Sequence, residues 1–283
     1  MTLVVSDVSR YGFIMVGDSA VSIYENDNLV DVRGDAAKIH YSDRANMGIA
    51  MWGCASVGKQ QLDSWIAKFI RSEIDSQDDL EMIGQRLAHQ LNEEFSKTKK
   101  PWSELVCGFH LAGFRNGKPK LWHIHCGHEN EPPHELRLYK DFPELKGLND
   151  EGFQRFLTDR KGRPFSHLRN GYHPIFASLF DSIMRYSVTL NQDLGINFPQ
   201  DSFEGRLSFY KLLVQFVADT LVAAGEDPCV NNVLSSIAFS QNGLIIDERI
   251  PVSEEIEILP EGFHLYYGGV GVKAEYQVLP FIR

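Results

Sequence analysis

The 283-residue chain is expected to adopt an α+β fold, a four-layer αββα sandwich in which two packed sheets carry helices on their outer faces. Three observations predict it. Several short runs are apolar at every position, which reads as strands buried on both faces. The amphipathic helices come in pairs. Those pairs alternate with blocks of strands, whereas a parallel βαβ protein would alternate single strands with single helices.

The elements follow in chain order. Leu3-Val4-Val5 and Phe13-Ile14-Met15-Val16 form an expected hairpin around Ser9-Arg10-Tyr11-Gly12, and further strands fall at about 37–41 and 47–52. Leu62, Trp65, Ile66, Phe69, Ile70 and Ile74 recur at helical spacing, as do Leu80, Ile83, Leu87, Leu91 and Phe95. A second hairpin is expected over 105–125, turning at Asn116-Gly117, because Asn-Gly accepts the positive φ angles of a tight turn. Residues 128–170 are rich in charge, Pro and Gly and are expected to be an insertion or extended loop within one domain spanning 1–283. Two more amphipathic helices carry Phe176, Leu179, Phe180 and Ile183, then Phe209, Leu212, Leu213, Phe216 and Val217. Strands are expected at 233–239, 243–246, 255–259 and 263–267.

Composition narrows the function classes. The chain is 43% hydrophobic and 23% charged, enough apolar residue for a substantial core. A net charge of −10 argues against nucleic acid or an anionic membrane as partner. Cys54, Cys107, Cys126 and Cys229 are scattered without a CxxC pair, which suits a reducing cytoplasm. Asp7, Arg10 and Asp18 interrupt the first apolar runs, so no secretory signal is expected. No uninterrupted apolar stretch approaches the ~20 residues that cross a bilayer. The expected location is cytoplasmic.

The chemistry is sought at the start of the chain. A threonine hydroxyl is a weak nucleophile until a base takes its proton, and a chain's own terminal amine can be that base. An α-amine has a pKa of about 7.7–8.0. Thr2 is small enough for Met1 to be removed ahead of it. A three-residue turn at Ser9-Arg10-Tyr11 would set Thr2 opposite Asp18 on one face of the hairpin. Lys38, on the next expected strand, is the cation such a carboxylate would hold, and its ammonium would favour the alkoxide form of the hydroxyl. The bland alternative is that Gly17-Asp18-Ser19 is only a strand-end turn.

These segments also carry a resemblance. Thr2-Leu-Val-Val-Ser, Gly12-Phe-Ile-Met-Val-Gly-Asp-Ser19, Ala37-Lys38-Ile39 and Gly48-Ile-Ala-Met-Trp-Gly53 resemble the amino-terminal half of proteasome β-type subunits and their bacterial relatives, the N-terminal-nucleophile hydrolases. Residues 108–127 and 206–244 continue it. The resemblance implies the αββα sandwich, a threonine peptidase activity without cofactor, and self-assembly into a ring or related homo-oligomer. It implies Thr2 as nucleophile and terminal base, Asp18 as the buried acid, Lys38 as the lysine and Ser22 as a contact to the substrate backbone. Gly53 would supply the oxyanion-hole N–H.

The chain also departs from the pattern. Tyr172 stands where the family has a serine, and Asp227-Pro-Cys-Val230 keeps an acid but lacks the second serine. Asp227, His173 or Asn231 would then support the terminal amine. The expected function is cleavage of an amide bond, most simply in a peptide. The alternatives are a small-molecule amidohydrolase of the same fold, or an inactive structural subunit. An unfoldase partner is not addressed by the sequence.

Two other clusters carry less. His123, His125, Cys126 and His128 are dense enough to suggest zinc, but strand alternation separates Cys126 from the two histidines, so no metal is expected. Gly268-Gly-Val-Gly271 lacks a following helix and is expected to be a loop.

Overall fold

The first two apolar runs become β1 (Leu3–Ser9) and β2 (Gly12–Asp18), each buried along its whole length. The computed structural model describes residues 2–9, 11–25, 28–127, 134–140, 166–171, 173–196, 198, 200, 202–226, 229–252, 263–267 and 275–278. A second pair, β3 (Val21–Glu25) and β4 (Asn28–Arg33), follows, and then β5 (Ile39–Ser42) and β6 (Met47–Cys54). The two-residue strands β7 (Ser56–Val57) and β8 (Gln60–Gln61) lead into α1 (Leu62–Glu73) and α2 (Leu80–Thr98).

The middle of the chain supplies β9 (Cys107–Arg115), β10 (Lys118–His125), β11 (Arg137–Tyr139) and β12 (Ser166–Gly171). The β9–β10 turn is the expected Asn116-Gly117, with φ of 53° and 72°. The last third supplies α3 (His173–Leu194), α4 (Phe203–Ala224), β13 (Leu234–Ser240), β14 (Gly243–Glu248), β15 (Phe263–Tyr267) and β16 (Glu275–Val278). Within 128–170, β11 and the start of β12 are strands, while 128–133 and 141–165 lie outside the described residues. So do the strand expected at 255–259 and the glycine run at 268–271.

Local chemistry sets the helix ends. Asp79 caps α2 by accepting from Met82 N at 2.9 Å, and Ser202 caps α4 by accepting from Gly205 N at 3.0 Å. α4 stops at Gly225, whose φ of 71° is a left-handed C-cap.

Apart from the β7–β8 pair, which stands alone, the described strands form two antiparallel sheets. In one the order is β14-β13-β2-β1-β12-β16, and in the other β11-β10-β9-β6-β15-β3-β4, with β5 also paired to β6. Three apolar clusters fix how they pack. Ile66, Phe69, Leu87 and Leu91 of α1 and α2 join Ile49, Met51, Phe109 and Leu111 of the second sheet. Phe176, Phe180, Leu213 and Val217 of α3 and α4 join Leu3, Val5, Ile14 and Val16 of the first. Val4, Phe13, Met15 and Phe239 of the first sheet meet Ile39, Ala50 and Trp52 of the second. Alternation along β1 explains the split, since Leu3 and Val5 face the helices while Val4 faces the other sheet.

A buried ion pair pins α4 to β1. Arg206 Nη2 lies 2.6 Å from Asp7 Oδ2, and Tyr210 Oη donates to Asp7 Oδ1 at 2.9 Å. Burial pushes the Asp7 carboxyl up, and Arg206 opposes that shift. By length and mean hydropathy alone, α4 is long and apolar enough to cross a membrane, although Glu204, Arg206, Lys211 and Asp219 interrupt it. Its Leu207, Tyr210, Leu213, Val214 and Val217 are nevertheless buried against the sheet and α3.

Candidate active site

The residues expected to carry the chemistry converge where β1 begins and β2 ends. Lys38 Nζ donates to Thr2 Oγ1 at 2.7 Å and to both carboxylate oxygens of Asp18 at 3.0 Å. All three side chains are fully buried. Asp18 is held in turn by the backbone, accepting from Leu3 N at 2.8 Å and from Ala20 N at 2.9 Å.

The route to this cluster differs from the expected one. Ser9 pairs with Gly12 and Val4 with Gly17, so the hairpin connection is two residues long instead of three. That length is the commonest for a tight hairpin, and it shifts the register by one residue. Leu3, not Thr2, therefore comes opposite Asp18, and its N–H binds the carboxylate. Lys38 makes the connection that direct opposition was expected to make.

Lys38 reaches the hairpin from just ahead of β5. Ala36 N donates to Ser19 O at 3.1 Å, and Met51 N donates to Lys38 O at 2.9 Å. The segment is thereby tied at one end to β2 and at the other to β6. Burial lowers the proton affinity of the Lys38 amine, while the neighbouring Asp18 charge raises it. A lysine so placed can hold the Thr2 hydroxyl as an ammonium donor, or accept its proton when neutral.

Gly53 sits on β6 beyond Met51, at φ +88°. A Cβ there would lie 2.3 Å from Val106 O and 2.6 Å from Cys107 Cα, so only glycine fits. Ser22 is buried on β3, opposite Val32 of β4 and Tyr266 of β15. His173 begins α3, but its side chain is outside the described ones, as are Tyr172 and Asp227 altogether. Asn231 is part of the surroundings. Its Oδ1 accepts from Ser19 N and from Ser19 Oγ, both at 3.1 Å, next to Asp18. Cys54 is buried, and that burial raises its thiol pKa, so it is not an activated thiol.

Sequence reasoning missed a second polar row. Ser6 Oγ lies 2.8 Å from His110 Nδ1, and His110 Nε2 lies 2.7 Å from Asn170 Oδ1. Serine, histidine and asparagine are in nucleophile–base–orienter order, but all three are buried in the interior. Burial lowers the His110 pKa to about 4, so the ring is neutral. The row ties β1 and β12 to β9 across the two sheets. No local pattern could reveal it, because Ser6 and His110 are 104 residues apart. Nearby, Trp52 Nε1 donates to His123 Nε2 at 3.2 Å, and His125 stacks on Tyr139 at 4.0 Å. No group of three His, Cys, Asp or Glu among the described residues is arranged to hold a metal ion.

The overall arrangement matches known structures. Anbu from Hyphomicrobium sp. strain MC1, as a Gly-1 mutant, aligns with TM-score 0.53 and 10% identity over 90% of this chain and 89% of that one. Its fold resembles that of Anbu. A second Hyphomicrobium Anbu structure aligns with TM-score 0.50 and 11% identity over 89% of both chains. Anbu from Yersinia bercovieri, described as an ancestral β-subunit, aligns at 0.48 and 12% identity over 88% of this chain and 86% of that one. The two Hyphomicrobium structures carry the likeness, which supports a proteasome-like fold at low sequence identity. No family model matches the chain, and no curated protein does.

Proposed function

We propose that this chain is an N-terminal-nucleophile amide hydrolase of the proteasome-like class, built as a four-layer αββα sandwich, with Thr2 as its nucleophile. The observation that carries the proposal is one contact set: Lys38 Nζ at 2.7 Å from Thr2 Oγ1 and at 3.0 Å from both Asp18 oxygens. The Anbu-like fold and the three clusters, two under helices and one between the sheets, support the architecture.

In the proposed cycle Met1 is removed and the freed amine, assisted by Lys38, takes the Thr2 hydroxyl proton. The oxygen attacks the amide carbonyl, a backbone N–H at Gly53 holds the oxyanion, and the amine product leaves with a proton. Water then cleaves the ester, returning Thr2. Ser22 contacts the substrate backbone, and Ser19 with Asn231 supports the amine in place of the family serines. Asp227 and His173 belong to the same supporting group. The cycle needs no metal or organic cofactor. A peptide substrate, a homo-oligomer and a cytoplasmic location complete the proposal.

The full burial of Thr2, Asp18 and Lys38 favours a second reading, an inactive structural subunit. Intact mass and a small β-lactone probe separate the two. The hydrolase is expected to lack Met1 and to form a stable ester at Thr2, lost in Thr2→Ala. A retained Met1, or no adduct at Thr2 once the site has been opened to solvent, would establish the inactive subunit.

A further inference from the structure

The edge of β6 nearest the site is shared by two strands. β9 pairs with Gly48–Gly53 along one edge, so β5 and β15 share the other. β5 takes Met47–Ala50 and stops there. Just beyond, where Met51 N reaches Lys38 O, β15 enters, with Tyr267 opposite Gly53 and Tyr266 opposite Cys54. The other edge of β15 pairs antiparallel with β3 from Phe263 to Tyr266, which faces Ser22. A late segment thus lies as a strand between two early ones, against both positions assigned to substrate contact.

We propose that β15 is an internal plug: it occupies, as a strand, the slot an extended polypeptide must enter to reach Thr2, so the chain in this form is latent. The inference rests on the reading of Thr2 as nucleophile. Thr2, Asp18 and Lys38 have no exposed surface, and β15 pairs with β3 and β6, the strands tied to Asp18 and Lys38 by sequence and by the Met51 N–Lys38 O bond. Strand addition satisfies main-chain hydrogen bonds whatever the side chains, so any extended peptide competes for the same slot. Tethering gives the plug a local concentration in the millimolar range, against which weakly binding peptides lose. Its hold on β6 is short, two residues, against six in the β6–β9 ladder. Four more pairs hold its other edge to β3, so the β6 side is where β15 releases first. Activation means its release, by a stronger extended peptide or by a partner that draws it out.

Two measurements test this, and neither requires hydrolysis. In the unaltered protein, amides of 263–267 are expected to exchange with solvent at least about tenfold faster than those of β9. Equal protection would make β15 an integral strand and end the proposal. In Tyr266→Pro, which removes the N–H of a residue paired on both sides, a fluorescein-labelled copy of residues 261–269 is expected to bind at least about tenfold more tightly than to the unaltered chain. Unchanged affinity would also overturn it. If the variant does not fold, the exchange measurement decides alone. The two proposals fail separately. A Thr2 that forms a β-lactone ester while 263–267 exchange with β9 removes only the plug. A Thr2 that stays unreactive in Tyr266→Pro without added peptide, while the labelled peptide binds that variant tightly, supports the plug and removes only the hydrolase.

Discussion

Asp18 has no exposed surface, yet it serves four donor contacts: two from Lys38 and one each from the N–H groups of Leu3 and Ala20. Removing it would leave a buried ammonium without its counter-charge. Breaking a buried pair in this way typically costs 3–5 kcal/mol, so Asp18→Ala is expected to lower unfolding stability by about 3 kcal/mol in urea titrations. Thr2→Ala removes one hydroxyl acceptor of Lys38 and should cost only about 1 kcal/mol; on the proposed function it also abolishes amide cleavage, which paired stability and turnover assays would show. These residues were legible because each lies in a short apolar segment whose order along the chain is distinctive. The Ser6–His110–Asn170 row was not, since three separate elements must fold before those side chains meet.

Among elements, the strands with alternating or continuous apolar residues were easiest to read. β3 and β4 escaped because their outer halves are half-buried to exposed, with Glu25, Asn28 and Asp31 breaking any apolar run. β12 escaped because Ser166-His-Leu-Arg-Asn-Gly171 is polar, although it pairs with the fully buried β1. The hairpin register was missed by one residue because turn length, not strand pattern, sets it. β6 shows the opposite case, where one residue decides an element. Gly53→Ala would press a methyl into the backbone of Val106 and Cys107 at a left-handed φ. Strain of this kind costs about 1–3 kcal/mol before the clash is counted, and a thermal-unfolding midpoint well below that of the parent is the expected result.

For the molecule as a whole, acid should be more damaging than the net charge of −10 suggests. Burial lowers the pKa of His110 to about 4 and that of His40 to about 3, from an ordinary 6.5. The unfolded chain therefore takes up protons at these sites before the folded one does. Their contribution is whole above about pH 6.5 and is lost as pH falls toward the folded values. For His110 alone this is on the order of 3 kcal/mol by pH 4. Urea midpoints measured from pH 7 to pH 4 are expected to fall continuously; a flat profile would mean the rings are protonated in the folded protein.

The sheet order that sets β15 between β3 and β6 also has a cost during synthesis. Both early strands emerge from the ribosome some two hundred residues before their shared neighbour, and β1 waits as long as that order of magnitude for β12. Until then, unpaired main-chain edges stay open and invite pairing with other nascent chains. Prematurely terminated copies lacking the last third should accumulate as aggregates, whereas full-length copies close their own edges.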